Sequence, residues 1–243
     1  TPAKKVTVYV TISNDGVPIR GRDGTVLCHK AITVPYFDLG RYDLSEYYRY
    51  HTENGEGKYI DKNIVERPTG LHLYLYLLER YFIGLPEEQC CKGAYPRDAL
   101  ASFKLGEDVC YMDETPAYTA DSFAALTITG SPTSLYMANF WGHDENLMYY
   151  RNHCFPYMSP GWGSTSDYIV LSDGDTWDVA MFSNWSFYSS GGAFTRFDKD
   201  EYNARPGMEL TVNTQAYGTT FEGSDFYPFS NLDAVSYTHL RAH

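Results

Sequence analysis

The segment from Pro68 to Pro86 constrains the fold most, because it combines helical spacing with clear start and stop signals. Thr69 follows Pro68 as a candidate N-cap. Gly84 and Pro86 end the pattern. The same stretch alternates leucines in a way that would also suit a strand, but its length and its ends favour a helix over 69–82. One face of that helix carries Leu71, Leu75, Leu78 and Phe82.

Extended segments lie on both sides of this helix. Lys4 to Ser13 alternates β-branched and polar residues, which is typical of a half-buried strand, and Asn14-Asp15-Gly16 is a turn signal. Leu27 to Val34, which ends at Pro35, would complete an opening hairpin. Further strands are predicted at Ala124–Thr129, Leu135–Phe140, Leu147–Arg151, Asp167–Leu171, Trp177–Phe182, Phe194–Asp198 and Glu209–Asn213. This order predicts an α+β fold, with one main helix against a sheet built from both halves of the chain.

The segment from Pro86 to Asp121 lacks a sustained period and is predicted to be a loop-rich insertion. It holds three of the five cysteines, which are Cys28, Cys90, Cys91, Cys110 and Cys154. No Cys-x-x-Cys unit occurs, so zinc and thioredoxin-type chemistry lack their usual spacing. A disulfide between Cys110 and either Cys90 or Cys91 would staple the insertion, but sequence does not fix the pairing.

Charge narrows the range of partners. The chain carries 19 Lys and Arg against 31 Asp and Glu, a net charge of −12. That field repels nucleic-acid phosphates and anionic membrane surfaces. No apolar run approaches the roughly 18 residues of a membrane span. The 23 tyrosines suit a β-rich surface or a wet binding surface.

The densest polar and aromatic segment runs from Asn139 to Asn146. Trp141 is a candidate stacking platform there, with His143, Asp144 and Glu145 as hydrogen-bonding groups for a ligand. The alternative is a hairpin loop whose Trp141 packs on the core. Because neighbouring residues of an extended chain point to opposite faces, His143 and Asp144 do not form a catalytic relay.

Two more tryptophans extend this candidate rim. Trp162 lies between Gly161 and Gly163, which allow close backbone approach, and Trp185 follows a predicted strand. Together with Trp141 they would offer a carbohydrate or another small molecule a stacking surface. The alternative for Trp162 is a tight connection that anchors the core, and Trp177 is predicted to face the core.

Metal, cofactor and catalytic sites are not predicted. Asp173-Gly174-Asp175 lacks the ligand spacing of a calcium loop, and we expect a tight turn with Asp as its hydrogen-bonding partner. His72 is expected to be a packed histidine, because no metal-binding partner spacing accompanies it.

Three segments carry a resemblance to a known family. The strand KVTVYVTIS, the helix PTGLHLYLYLLERYF and the late stretch MSPGWGSTSDYIVLSDGDTWDVAMF resemble the transcobalamin-like C-terminal domain of bacterial surface proteins. The resemblance covers about residues 4–198 and implies a β-grasp-like fold in a secreted or cell-surface protein. The stretch FTRFDKDEYNARPGMELTVN resembles the entry of an immunoglobulin-like domain. No cobalamin-contact residues match by position.

The predicted organisation is therefore a β-grasp-like domain at 1–198 with an insertion at about 86–121. The start of a truncated immunoglobulin-like domain follows at 199–235. Residues 236–243 resemble the translation of a sequencing adapter and are expected to be a non-native tail on a fragment. The predicted function is a non-enzymatic extracellular binding or adhesion module, next to neighbouring domains of the same chain. The alternatives are a structural spacer and, by family analogy, a corrinoid binder.

Overall fold

The fold is α+β, as predicted, with a mixed sheet and a few short helices. The computed structural model describes residues 5–44, 67–102, 126–131, 134–141, 143–144, 147–154, 157–159, 162–163, 166–181, 194–199 and 201–217. The main sheet has five strands. Their order is Val17–Pro18 (β2), Lys5–Asn14 (β1), Thr176–Met181 (β10) and Leu147–Arg151 (β7), and Lys30–Pro35 (β3) also pairs with β1.

The opening hairpin is confirmed. Strand β1 (Lys5–Asn14) buries every second residue, and its inward side chains are Val6, Val8, Val10 and Ile12. Asp15 and Gly16 both take positive φ angles, of 47° and 81°, which turns the chain into β2 (Val17–Pro18). Strand β3 (Lys30–Pro35) then runs antiparallel to β1 from Lys5↔Pro35 to Val10↔Lys30.

The other edge of β1 pairs with a strand from the second half of the chain. Strand β10 (Thr176–Met181) runs parallel to β1, from Tyr9↔Thr176 to Asn14↔Met181. Strand β7 (Leu147–Arg151) lies antiparallel on the far side of β10. The sheet is therefore built from both halves of the chain, as the sequence predicted.

The helix is also confirmed. Helix α1 (Gly70–Leu77) starts after Thr69 as N-cap and continues as a π-helical segment, Leu78–Ile83, to Gly84 at φ 87°. All eight residues of α1 are buried, not only the predicted apolar face. On the sheet side Trp177 stacks on Tyr149, and its indole N–H donates to the Tyr74 hydroxyl at 3.2 Å; on another side His72 packs against Phe37.

Two predicted strands are wrong. Ser166–Tyr168 forms a 3-10 turn, and Val170 makes a single bridge to Thr69. After the turn, Ile169 and Leu171 are buried beside the start of α1. This segment therefore packs against the helix and does not join a sheet. Residues 209–213 form no strand; instead Thr214–Tyr217 (β12) pairs with Phe194–Phe197 (β11).

The remaining described strands form small separate sheets. Strands β4 (Leu126–Ser131), β5 (Ser134–Phe140) and β6 (His143–Asp144) make a three-stranded sheet. Strands β8 (Tyr157–Ser159) and β9 (Trp162–Gly163) make a two-stranded ribbon.

The described part of the predicted insertion holds 3-10 turn Glu87–Gln89 and helix α2 (Arg97–Ser102). Residues 103–121 and the predicted tail at 236–243 lie outside the described residues, as do residues 218–235 of the predicted immunoglobulin-like start. None of the described helices is long and apolar enough to cross a membrane.

Candidate functional site

Trp141 lies in the core rather than on a surface. Its side chain is 1% exposed and packs against Phe82 and Phe140, at ring centroid distances of 5.1 and 5.8 Å. Its backbone takes a φ of 58° at the turn between β5 and β6, where Phe140 pairs with His143. This placement agrees with the alternative interpretation, a hairpin turn whose tryptophan packs inward. The ring is enclosed by packing, so Trp141 does not belong to an exposed rim.

The other predicted site residues are placed only by their backbone or not at all. His143 and Asp144 form β6, and Asp144 pairs with Asn139. Trp162 begins β9 and pairs with Ser159. Trp185 lies outside the described residues. A rim formed by Trp162 and Trp185 remains a prediction.

The Asp173-Gly174-Asp175 segment is a hydrogen-bonded turn, as expected. The Thr7 N–H donates to Asp173 Oδ1 at 2.7 Å, and the Ser172 N–H donates to Asp175 Oδ2 at 2.9 Å. Gly174 has φ 86°. Both carboxylates thus tie the turn to its surroundings. Within the described ranges, no three His, Cys, Asp or Glu side chains group closely enough to hold a metal.

A cavity of about 350 Å³ opens where β1 and β3 meet the segment that follows α1. Its floor is mostly apolar and buried, and consists of Phe37, Tyr76, Cys90 and Cys91. Pro35 and Tyr36 form a half-buried wall. The exposed rim carries charges of both signs and consists of Lys5, Thr33, Arg41, Glu87, Glu88 and Lys92. Six of the twelve lining residues are charged or polar, so the cavity offers a small molecule both polar and apolar contacts.

A buried carboxylate holds the floor in place. Glu79 is fully buried; its Oε1 accepts from the Tyr42 hydroxyl and its Oε2 accepts from the Cys91 N–H at 3.0 Å. Burial raises the pKa of Glu79, although both hydrogen bonds act against that rise. From the other side, Arg41 Nη1 donates to the Cys91 carbonyl at 2.8 Å. The N–H and the C=O of Cys91 are therefore both hydrogen-bonded to side chains that are distant in sequence.

The backbone conformation of Cys91 is unusual. Cys91 takes a φ of 62°, a left-handed conformation that is uncommon for a residue with a side chain. Such outliers persist only where surrounding contacts fix them, and they cluster at functional sites. Gly93 follows at φ 76°, and a Cβ there would lie 2.9 Å from Arg41 Cβ, so the chain passes close over Arg41.

Burial also raises the pKa of both floor thiols, and the nearby Glu79 carboxylate adds to the rise. The pKa of Cys90 reaches about 11, and that of Cys91 moves up in the same direction. Cys90 Sγ donates to the Pro86 carbonyl at 3.4 Å. Both groups are therefore neutral thiols at physiological pH.

No sequence pattern predicted this cavity. Its lining comes from residue 5, from 33–41, from Tyr76 and from 87–92, which only the tertiary fold brings together. The available signal is the adjacent pair Cys90-Cys91, which follows Glu87 and Glu88 after one intervening residue, within the predicted insertion.

Comparison with known proteins adds no relative: no protein family, no curated protein and no solved structure matches this chain.

Proposed function

We propose that this chain is a non-enzymatic ligand-binding module of a secreted or cell-surface bacterial protein. The observation that carries the proposal is the cavity between β3 and the segment that follows α1. At about 350 Å³ it lies near the lower end of the range for small-molecule sites. Its ligand is a small amphipathic molecule, with an apolar or aromatic body on the floor and charged groups at the rim.

The proposed fold is β-grasp-like. It is supported by the parallel contact of β1 with β10, by the antiparallel neighbours on both sides, and by a single main helix packed on the sheet. The extracellular setting follows from the family resemblance of the sequence. In such modules the sheet and helix supply a rigid frame, and the connections supply the binding groups.

The proposal is tested by screening small aromatic acids, amino acids and amines for an increase in melting temperature. A ligand at 100 times its Kd stabilises the folded state by about 2.7 kcal/mol. Charge reversal at the rim, Lys92→Glu or Glu88→Lys, is expected to abolish or redirect the stabilisation. Lys30→Glu and Glu201→Lys are matched controls, because both residues are exposed and neither lines the cavity. Hits that stabilise all four variants equally would remove the cavity as the site.

The predicted tryptophan rim is tested in the same screen. If a carbohydrate binds there, Trp162→Ala and Trp185→Ala are expected to weaken that hit without altering hits that depend on the cavity. A carbohydrate that binds both variants as it binds the wild type would count against the rim.

A structural spacer is the second candidate, and exposed apolar side chains favour it. Phe197 is 57% exposed, and Met208, Leu210 and Val212 are between 39% and 50% exposed. Exposed apolar side chains of this kind suit contact with a neighbouring domain. Absence of any hit in the screen, together with stabilisation when the chain is fused to its neighbouring domain, would favour the spacer. Corrinoid binding is a weaker proposal, because a cavity of this volume is small for a macrocycle.

A further inference from the structure

Cys90 and Cys91 are adjacent cysteines that both line the cavity. Both residues are buried, at 4% and 5% exposure, and both line the same space. Both are present as thiols. The peptide bond between them is trans, because the described residues contain no cis peptide.

Adjacency disfavours a relaxed disulfide between these two sulfurs. Consecutive Cα atoms lie about 3.8 Å apart across a trans peptide. A disulfide usually needs roughly 4.4–6.8 Å between the Cα atoms. A single larger atom that bonds both sulfurs holds them further apart than an S–S bond does, and it closes a less strained ring.

The backbone of Cys91 is held in one conformation before any ligand binds. Glu79 and Arg41 hold the N–H and the C=O of Cys91 while its φ stays at 62°. This arrangement lowers the entropy that two flexible thiols would lose on binding one centre. Neither side chain contributes a ligand atom in this scheme; both act as positioning residues.

We propose that Cys90 and Cys91 form a dithiol site for one trivalent arsenic centre, with any organic substituent lying in the cavity. In water an arsenical R–As(OH)₂ condenses with both thiols. Two As–S bonds form, two As–O bonds break, and two water molecules leave with the two thiol protons, so no oxidant or reductant is needed. Soft sulfur ligands favour soft centres of this kind.

The protonation state of the pair suits this chemistry. Metal ions need thiolates, which burial and Glu79 disfavour here. Condensation with an arsenous acid starts and ends with neutral species, so a raised thiol pKa is no obstacle. The half-buried Tyr36 and the buried Tyr76 lie around the same space and would contact an aryl substituent. The inference uses the cavity but does not depend on the organic ligand proposed above.

The test uses the full chain, reduced and freed of reductant, with phenylarsine oxide as the probe. We expect one adduct by intact mass, in which phenylarsenic replaces two protein hydrogens. The adduct should resist excess 2-mercaptoethanol and be removed by 2,3-dimercaptopropanol. Cleavage after Arg80 and Lys92 releases a peptide, 81–92, whose only cysteines are Cys90 and Cys91. The arsenic is expected on that peptide.

Variants complete the test. Cys90→Ser and Cys91→Ser should each weaken monothiol-resistant binding by at least about 10-fold, while Cys28→Ser and Cys154→Ser should leave it unchanged. Tyr36→Ala should weaken binding of phenylarsine oxide but not of inorganic arsenite. The proposal is overturned if no monothiol-resistant adduct forms, if arsenic maps to another peptide, or if either variant of the pair still binds as the wild type does. The peptide map keeps the test decisive even if a variant fails to fold.

Discussion

At the residue scale, His72 couples folding to pH. The ring is fully buried; its Nε2–H donates to the Phe37 carbonyl at 3.0 Å, and its Nδ1 accepts from the Thr69 N–H at 3.1 Å. This closes a capping box at the start of α1, with histidine in the third helical position. Burial lowers the pKa of His72 from 6.5 to about 4, against the opposing effect of the bond to Phe37.

We therefore expect stability to fall as pH drops below 6.5. The folded state keeps His72 neutral down to about pH 4, whereas the unfolded chain takes up a proton near pH 6.5. Stability is thus fully present above pH 6.5 and is lost progressively towards pH 4. Between pH 7 and pH 5 the loss from this group is about 2 kcal/mol. Urea unfolding at both pH values measures it.

His72→Gln is the control for the pH prediction. Glutamine does not titrate, so the variant should start less stable at pH 7 but lose about 2 kcal/mol less on acidification. Glu79 titrates in both proteins, and its contribution cancels in the difference between them. Equal pH dependence of the two proteins would show that His72 is not the group responsible.

At the element scale, Gly70 sets how closely α1 approaches the sheet. A Cβ at this position would lie 2.5 Å from Trp177 Cη2 and 3.0 Å from the Ser166 carbonyl oxygen. We expect Gly70→Ala to destabilise the protein by about 2 kcal/mol, because overpacking outweighs the roughly 1 kcal/mol that alanine adds in helix propensity. Thermal and urea unfolding would measure the loss.

Gly174→Ala separates crowding from backbone strain. Gly174 has φ 86° but open space around its Cα, so alanine there meets strain alone and should cost about 1 kcal/mol.

Gly70→Ala combined with Trp177→Phe should cost less than the sum of the two single changes, because the smaller ring relieves the clash. Strict additivity, or a stabilised Gly70→Ala protein, would contradict the proposed close packing.

At the scale of the whole molecule, the chain should open in two stages. Strand β1 lies between β3 and β10, so most of its amides are released only by global unfolding. The pair β11–β12 is a two-stranded sheet with Phe197 largely exposed, and such pairs are marginal alone. Hydrogen exchange should therefore be slowest in residues 6–13 and much faster in 194–197 and 214–217. Uniform exchange rates across both regions would contradict this order.

The spacing of apolar residues along the strands and the helix predicted much of the fold. Alternation in Lys5–Asn14 and the signals at Thr69 and Gly84 depend only on near neighbours in the chain, so the sequence predicted β1 and the main helix. The errors at 167–171 and 209–213 have another cause. Each segment has the composition of a strand, but partners distant in sequence decide whether an extended chain joins a sheet.

The site prediction depended on contacts of the same kind. For Trp141 the sequence left open a ligand-facing rim or a core position, and the structure shows that it fills the core between Phe82 and Phe140. Whether a loop aromatic faces inward depends on space left by other elements, which local sequence does not encode. No shared motif links the lining residues Lys5, Arg41, Tyr76 and Cys91. The cavity therefore could not be predicted from the sequence.

By itself, the sequence determined the α+β class, the opening hairpin, the helix with its cap, and the turn at Asp173-Gly174-Asp175, since each depends on hydrogen bonds or apolar spacing over a few residues. The tertiary structure alone decided the parallel pairing of β1 with β10, the burial of Trp141, and the hydrogen bonds that Glu79 and Arg41 make to the backbone of Cys91. Those features join residues up to about 170 positions apart, and only packing against a common core selects among such distant partners.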